Sequence, residues 1–474
     1  MIWSIAWKNV WRSKRRSLVV IVAVTIGIIS GILLIGIMKG WTAQRLYDAI
    51  NNEVSHIQIH NSDFIKNEEI NHNLDCTEKL IACIDSVRGI KGWAKRTKLI
   101  AMANTPWANT GMVIFGVEPE KEMQVTEIWK KVLPDAGQYL DAERPGDILI
   151  GDKAAELLKI KQYIVTDEVI EALKREKIPD FVLEQLTGIK GTRFRSPKDF
   201  REAITLIFSK KVLDQYGRLI VAKALDYRLR TKIQVTISDV NGNPVQGIFR
   251  VCGIYKTTNT GFDQSSAFVN AGELARLYGS DAVLTHEISI LLRNIEEIGN
   301  VKDKLGRVSE NNTVRTWKEL APDAAMMNDF MIIYYFIFIG IIMLALAFGI
   351  INTMLMAILE RTRELGMLMA IGMNRERVFR MIMYETVFLT FVGAMAGMFL
   401  GWVIIGIFGR TGIHFSGWGE GFEAIGFAAK VYPVVTPDFY AFTTIMVIAT
   451  AIISSVWPAR KALKLNPVEA LRTE

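Results

Sequence analysis

Four uncharged apolar runs constrain this chain more than any other feature. They are LVVIVAVTIGIISGILLIGIM at 18–38, FMIIYYFIFIGIIMLALAFGIINTMLMAIL at 330–359, TVFLTFVGAMAGMFLGWVIIGIFG at 386–409 and FYAFTTIMVIATAIISSVWPA at 439–459. Crossing a bilayer core takes about 20 residues at helical rise, so each run is long enough to span one. The predicted fold class is an α-helical membrane protein with four transmembrane helices plus a large α+β extracytoplasmic, periplasmic domain. The first run follows the basic leader WKNVWRSKRR. It is too long for a signal-peptide core and no A-x-A-like site follows it, so it reads as an uncleaved anchor.

Lysines and arginines near the ends of the runs set the expected orientation. Lys8, Arg12, Lys14, Arg15 and Arg16 precede the first run, and Arg361, Arg363, Arg375, Arg377 and Arg380 lie between the second and third. Arg460, Lys461, Lys464 and Arg472 follow the fourth, whereas the segment between the third and fourth holds only Arg410 and Lys430. Both termini and the loop at 360–380 are therefore expected in the cytoplasm of a bacterial inner-membrane protein. This topology accounts for the net charge of +7, and no nucleic-acid partner is inferred from it.

The expected organisation is a cytoplasmic amphipathic segment and first span at 1–39, then a periplasmic domain at 40–329. A second span follows at 330–359, a cytoplasmic helix and turn at 360–380, and a third span at 381–409. A short outer loop at 410–438, a fourth span at 439–459 and a C-terminal helix at 460–474 complete the chain. The outer segment is too long for a loop and must have its own core. VSHIQIH, GMVIFGV, DILIG and HEISILL read as strands, and the segment from Lys232 to Tyr255 reads as a hairpin turning at Asn241-Gly242. At about 155–230 the texture becomes charged and helical, predicting a helical insertion. The loop GRTGIHFSGWGEGFEAIG suits the membrane interface.

Several chemistries have no residues to support them. There is no G-x-x-x-x-G-K-[ST] loop for ATP, no H-E-x-x-H and no G-x-S-x-G. His56 and His60 lie about 13 Å apart along a strand and read as surface histidines rather than metal ligands. The acidic residues of the outer domain, scattered among lysines, read as solubilising. Cys76 and Cys83 are too far apart for an unrearranged bridge if that segment is helical, while pairing of either with Cys252 stays open. Apart from Glu385 at the start of span three, the spans lack ionisable groups, which argues against an ion-driven carrier. No catalytic, metal or cofactor site is expected.

The segment ERTRELGMLMAIGMNRER is more informative. From Glu360 to Ile371 helix formers run unbroken, with Glu360 and Arg361 placed to pair with Arg363 and Glu364. Gly372 should stop this helix and Asn374 cap a second one starting at Arg375. Leu365, Leu368 and Met369 would face the bundle, and Met367, Ile371 and Met373 would face elsewhere. Flexible thioethers suit a docking surface, and an interfacial helix on lipid phosphates is the alternative. In the tail, Pro458 should bend the end of span four, and Asn466, Pro467 and Glu469 form a capped helix start. Gly393, Gly397 and Gly401, like Gly27 and Gly31, are spaced for close helix packing within the chain or in a dimer.

The stretch ERTRELGMLMAIGMNRERV with Glu385 and the three glycines of span three resembles the FtsX-like, MacB-type permeases of ABC transporters, as does PARKALKLNPVEALR. WKNVWRSKRRSLVVIVAVTIGI, FGVEPEKE and DILIGDKAAELL are similar to the lipoprotein-releasing, Lol-type members, whereas the insertion departs from their pattern. The resemblance implies a non-catalytic permease subunit paired with a second permease chain, identical or not. Two copies of a cytoplasmic ATPase would bind ATP and magnesium. Contact with the ATPase would fall to Glu360, Arg361, Arg363, Glu364, Leu365, Gly366, Met367, Ala370, Gly372 and Arg375, and to Pro458, Arg460, Asn466, Pro467 and Glu469. It further implies mechanical transmission to the outer domain, with lipids, lipoproteins and a periplasmic carrier as partners. MacB-like efflux or peptide export, or the switching of a periplasmic hydrolase, are the other roles the family offers.

Overall fold

The computed structural model describes Trp3, Trp7, Trp11 and residues 14–463 apart from 281, 310, 416–420 and 423–426, and the side chains of all these but 15, 16 and 332. Asn466, Pro467 and Glu469 lie outside the described residues. The chain divides into two compact units, one of 45–325 with 420–428 and one of the remaining residues.

The second of these units is a helical bundle. Its helices Lys14–Asp48, Pro322–Glu360, Arg375–Thr411 and Pro437–Leu463 are each long and apolar enough to cross a membrane. All four extend beyond the apolar runs because the polar residues that flank each run keep the helical backbone going without needing an apolar environment. Val24, Ile28, Ile32, Leu346, Ile350, Leu389, Ala394, Val447 and Ala451 form part of the buried seam. The fourth helix continues through Pro458 to Leu463, with Pro458 itself buried.

The other unit is built on strands β1 (Ile57–Asn61), β2 (Ile90–Asn104), β3 (Asn109–Val117), β4 (Val132–Gly137) and β5 (Asp147–Gly151). These are followed by β6 (Lys161–Ile164), β7 (Arg193–Phe194), β8 (Leu225–Tyr227), β9 (Lys232–Ser238) and β10 (Pro244–Tyr255). β11 (Ser266–Asn270), β12 (Glu287–Leu292) and β13 (Asn312–Thr316) complete the set. Strand pairing runs β2–β3–β11–β5–β10–β9 and returns to β2, closing a six-stranded ring. Closure removes the exposed edges an open sheet would leave. Alternate residues such as Leu99, Ala101, Ile114, Ile148, Ile150, Val235, Val251 and Val269 fill its interior. The β9–β10 hairpin turns at Asn241-Gly242, where Gly242 has φ +81° and Asp239 accepts from the backbone N–H groups of Asn241 and Asn243.

β2, at 15 residues, outgrows the ring. Its first half pairs with β12, and the order β13–β1–β12–β2 makes a four-stranded antiparallel wing. Ile57, Ile59, Ile288, Ile290 and Val314 pack one face of the wing against helices Glu78–Ser86 and Ile298–Val308.

Four expectations need correction here. The insertion is not purely helical: β6, β7 and β8 form their own sheet, and Val165, Leu173, Val182, Leu186, Phe200 and Ile220 make a separate small core. His60 is not a surface residue but is buried, with its Nε2 2.9 Å from Gln58 Oε1, and His56 accepts from the Leu292 N–H. His60 lies in the middle of the sheet because β13 and β12 flank β1, and His56 sits just before the strand, half-buried. The outer acidic residues are not all solubilising, since Glu122 and Glu287 are buried on either side of Arg96 at 2.7 and 2.8 Å. Finally, the segment 54–56 precedes the strand, with Ala49–Val54 forming a wide helical turn. Cys76, Cys83 and Cys252 are free thiols.

Candidate functional site

The helix after span two does not run unbroken from Glu360. Span two ends at Glu360, Arg361 leaves helical geometry at φ −104° and ψ 17°, and a new helix runs Thr362–Ala370. Arg361 is the pivot of this break. Its Nε donates to Glu364 Oε2 at 3.1 Å, and its Nη1 reaches both carboxylate oxygens of Glu385 on the third span at 3.0 Å. Charge-assisted contacts of this kind are stronger than neutral ones and fix direction, so one guanidinium holds the short helix against the third span.

The far end of the short helix is set by its backbone. Ile371 and Gly372 close the last turn, Gly372 at φ +99°, and Asn374 accepts from the Glu376 N–H to start the third helix at Arg375. The third helix thus begins six residues earlier than the expected start of the span at 381. Leu365 and Gly366 are buried, and Leu368, Met369 and Met373 pack on the bundle core. Met373 therefore faces inward, contrary to its expected place, because the turn at Gly372 reverses the chain. Arg363, Met367, Ala370 and Ile371 share the opposite, exposed side, with Ile371 79% exposed. Glu364 is half-buried, while Glu360 and Arg375 are exposed. Arg460, beyond Pro458 on the fourth helix, is exposed as well.

The glycines of the spans divide into two kinds. A Cβ on Gly393, Gly397 or Gly401 would come within 2.7 to 2.9 Å of Val24, Ile28 or Ile32, and Thr25 Oγ1 donates to the Gly393 carbonyl at 3.1 Å. This face packs the third helix onto the first within the chain. Gly27 and Gly31 turn toward Leu346 and Ile342 of the second helix, at ordinary contact distances of 3.9 and 3.5 Å. Trp3, Trp7 and Trp11 recur every four residues, and Trp3 and Trp7 both meet Phe388 edge to face.

Residue pairing by sequence missed a second polar node. Arg45, near the end of the first helix, bonds Glu53 at 2.7 Å and Asp323, at the start of the second, at 3.0 Å. Asn259 donates to Glu53, and Thr258 and Lys131 reach Asp48. A lone arginine beyond an apolar run was the available signal, but its partner lies 278 residues away.

With this geometry in view, comparison with known proteins is specific for the C-terminal part. Residues 336–467 match the family described as FtsX-like permease C-terminal. This region is an FtsX-like permease domain. An uncharacterized ABC transporter permease of Methanocaldococcus jannaschii is 27% identical over 232 residues, covering 48% of this chain and 55% of that one. The macrolide export ATP-binding/permease protein MacB of Chlorobium luteolum is 37% identical over 126 residues, 27% of this chain and 16% of that protein. The chain thus spans about half or less of the length of these relatives. The crystal structure of the extracellular domain of the noncanonic ABC-type transporter YknZ aligns with 55% of this chain and 99% of that one, at 15% identity and a TM-score of 0.29.

Proposed function

We propose that this FtsX-like chain is the non-catalytic permease subunit of an ABC complex, driven by a separate cytoplasmic ATPase that binds ATP and magnesium. The observation that carries the reading is the exposed side of the short helix Thr362–Ala370. Met367, Ala370 and Ile371 stand out beside Arg363 on a helix held at both ends, by Arg361 to Glu385 and by the Gly372–Asn374 turn. Apolar side chains on a fixed helix, exposed among the described residues, are the pattern of a docking surface.

In this reading, closure of two ATPase copies pushes the short helix, and Arg361 passes the push to the third span. The first and second helices carry the motion outward, and within the outer unit Arg45 joins their continuations through Glu53 and Asp323. A second permease chain completes the complex, and both termini lie in the cytoplasm of an inner membrane. The cargo we favour is a lipoprotein or lipid lifted from the membrane and passed to a periplasmic carrier. Export of a small molecule is the second reading, favoured by relatives named for macrolide export.

The test of docking is Ile371→Glu, a change at an exposed position that leaves the Arg361 contacts in place. Co-purification of the ATPase should fall about tenfold or more, as for an interface hot spot, with the melting temperature unchanged. Full retention of the ATPase would exclude this helix as the contact. Glu364→Lys is a poorer probe because it also breaks the bond to Arg361. For cargo, mass spectrometry of the purified complex before and after ATP should show lipoprotein lost on ATP addition; a complex that carries and loses only small molecules would favour export.

A further inference from the structure

The inner face of the wing, opposite its apolar packing face, carries an unusual row of polar residues. The register aligns Arg315 of β13 with Gln58 of β1 and Ser289 of β12, and His60 with Glu287 and then Arg96 of β2. Lys98, two residues on, lies opposite Phe115 of β3. Gln58, His60, Arg96 and Glu287 are all buried. A cavity of about 360 Å³ lies over this row, and Phe64, Phe115 and Phe262 form an apolar wall beside it. Burying so many polar groups on a sheet costs stability unless each is paired.

Pairing is complete for the acids and incomplete for the donors. Of the carboxylates in the wall, Glu53 receives bonds from Arg45 and Asn259, and Glu68 from Lys98. Glu287 receives bonds from Arg96 and Ser289, and Glu319 from Lys302 and the Thr316 backbone. Arg315 has no carboxylate partner among the described residues, and the Gln58 amide accepts from His60 without donating to another described group. Nδ1 of His60 is buried and has no partner. The unused capacity is thus a guanidinium and an amide N–H pair beside three phenyl rings.

We propose that this cavity binds a small amphiphilic carboxylate, its acid group held by Arg315 and Gln58 and its apolar body against Phe64, Phe115 and Phe262. The volume is at the lower end of the range of small-molecule sites. A guanidinium matches a carboxylate in shape as well as charge, which favours an acid over a neutral ligand. Every residue used belongs to the outer unit.

The test uses the full chain in lipid nanodiscs and three water-soluble isosteres, 3-phenylpropionate, 3-phenylpropanamide and 3-phenylpropylamine, titrated calorimetrically against empty discs. The acid should bind at one site, and the amide about tenfold or more weakly, the ratio expected for a lost hydrogen bond to a charged group. The amine should not bind. Arg315→Ala should abolish acid binding and Arg315→Lys restore part of it. Equal binding of acid and amide, preference for the amine, or no binding of the acid would each overturn the proposal, and these arms need no variant to fold.

Discussion

Arg361 shows how much one side chain decides in this molecule. It closes span two, opens the short helix and grips Glu385, and it is only 19% exposed. Glu385→Ala would leave that guanidinium half-buried without its main partner, at a cost of about 1–3 kcal/mol. Glu385→Gln, which keeps an acceptor, should cost less. Melting temperatures of the two variants give the order, and a smaller loss for Ala would show that the contact does not fix the helix. A second prediction concerns Asp263, whose carboxyl is pushed up to about 7 by burial, against bonds from Thr257 that pull it down. An acid whose folded value lies above its ordinary value near 3.8 holds more protons folded than unfolded between the two. Its contribution is therefore fully present below pH ~4 and falls as pH rises to ~7, by at most about 1.4 kcal/mol per unit. Asp263→Asn should flatten that slope in melts from pH ~4 to ~8, whereas an unchanged slope would exclude Asp263 as its source. At this scale the sequence marked Gly372 and Asn374, because a stop and a cap are local signals. It did not mark the bonds of Arg361 to Glu385 or of Arg45 to Asp323, because no local pattern encodes a partner in another element.

Among elements, the first and third helices pack closely. Three glycines four residues apart let the backbones meet, and a Cβ at Gly397 would stand 2.9 Å from the Ile28 Cβ and 3.0 Å from the Thr25 carbonyl oxygen. Gly397→Val should therefore destabilise the bundle by about 1–3 kcal/mol through overpacking. Gly349→Val on the second helix, where a Cβ meets nothing within 4 Å, should be close to neutral. Equal melting losses for both would mean that the glycines matter for helix propensity and not for contact. The glycine period was legible in the sequence, but whether it faced a neighbour in the chain or a second copy was not. Spacing identifies a face and says nothing of what meets it. Span boundaries suffered similarly, since polarity marks where the apolar run ends and not where the helix ends.

For the molecule as a whole, the insertion is the part most easily separated. Its flanking strands meet, with Tyr163 opposite Leu225, and its core is distinct from that of the ring. Replacing residues 165–223 with an Asn-Gly turn should leave a β6–β8 hairpin and an intact ring. The shortened chain should stay monodisperse in detergent, and aggregation would show that the insertion supports the rest. What the sequence by itself determined is the four spans, the separate mixed outer domain, the β9–β10 hairpin and the turn at Gly372. Each follows from a continuous pattern of polarity or a few adjacent residues with restricted backbone. Only the tertiary structure decided that β2 closes a ring and then extends into a wing, that Arg96 lies buried between two glutamates, and that His60 is interior. The strand pairings behind all three join residues up to about 260 positions apart in the chain. Such contacts are chosen by the packing of whole faces, and that is settled only when every element competes for the same space.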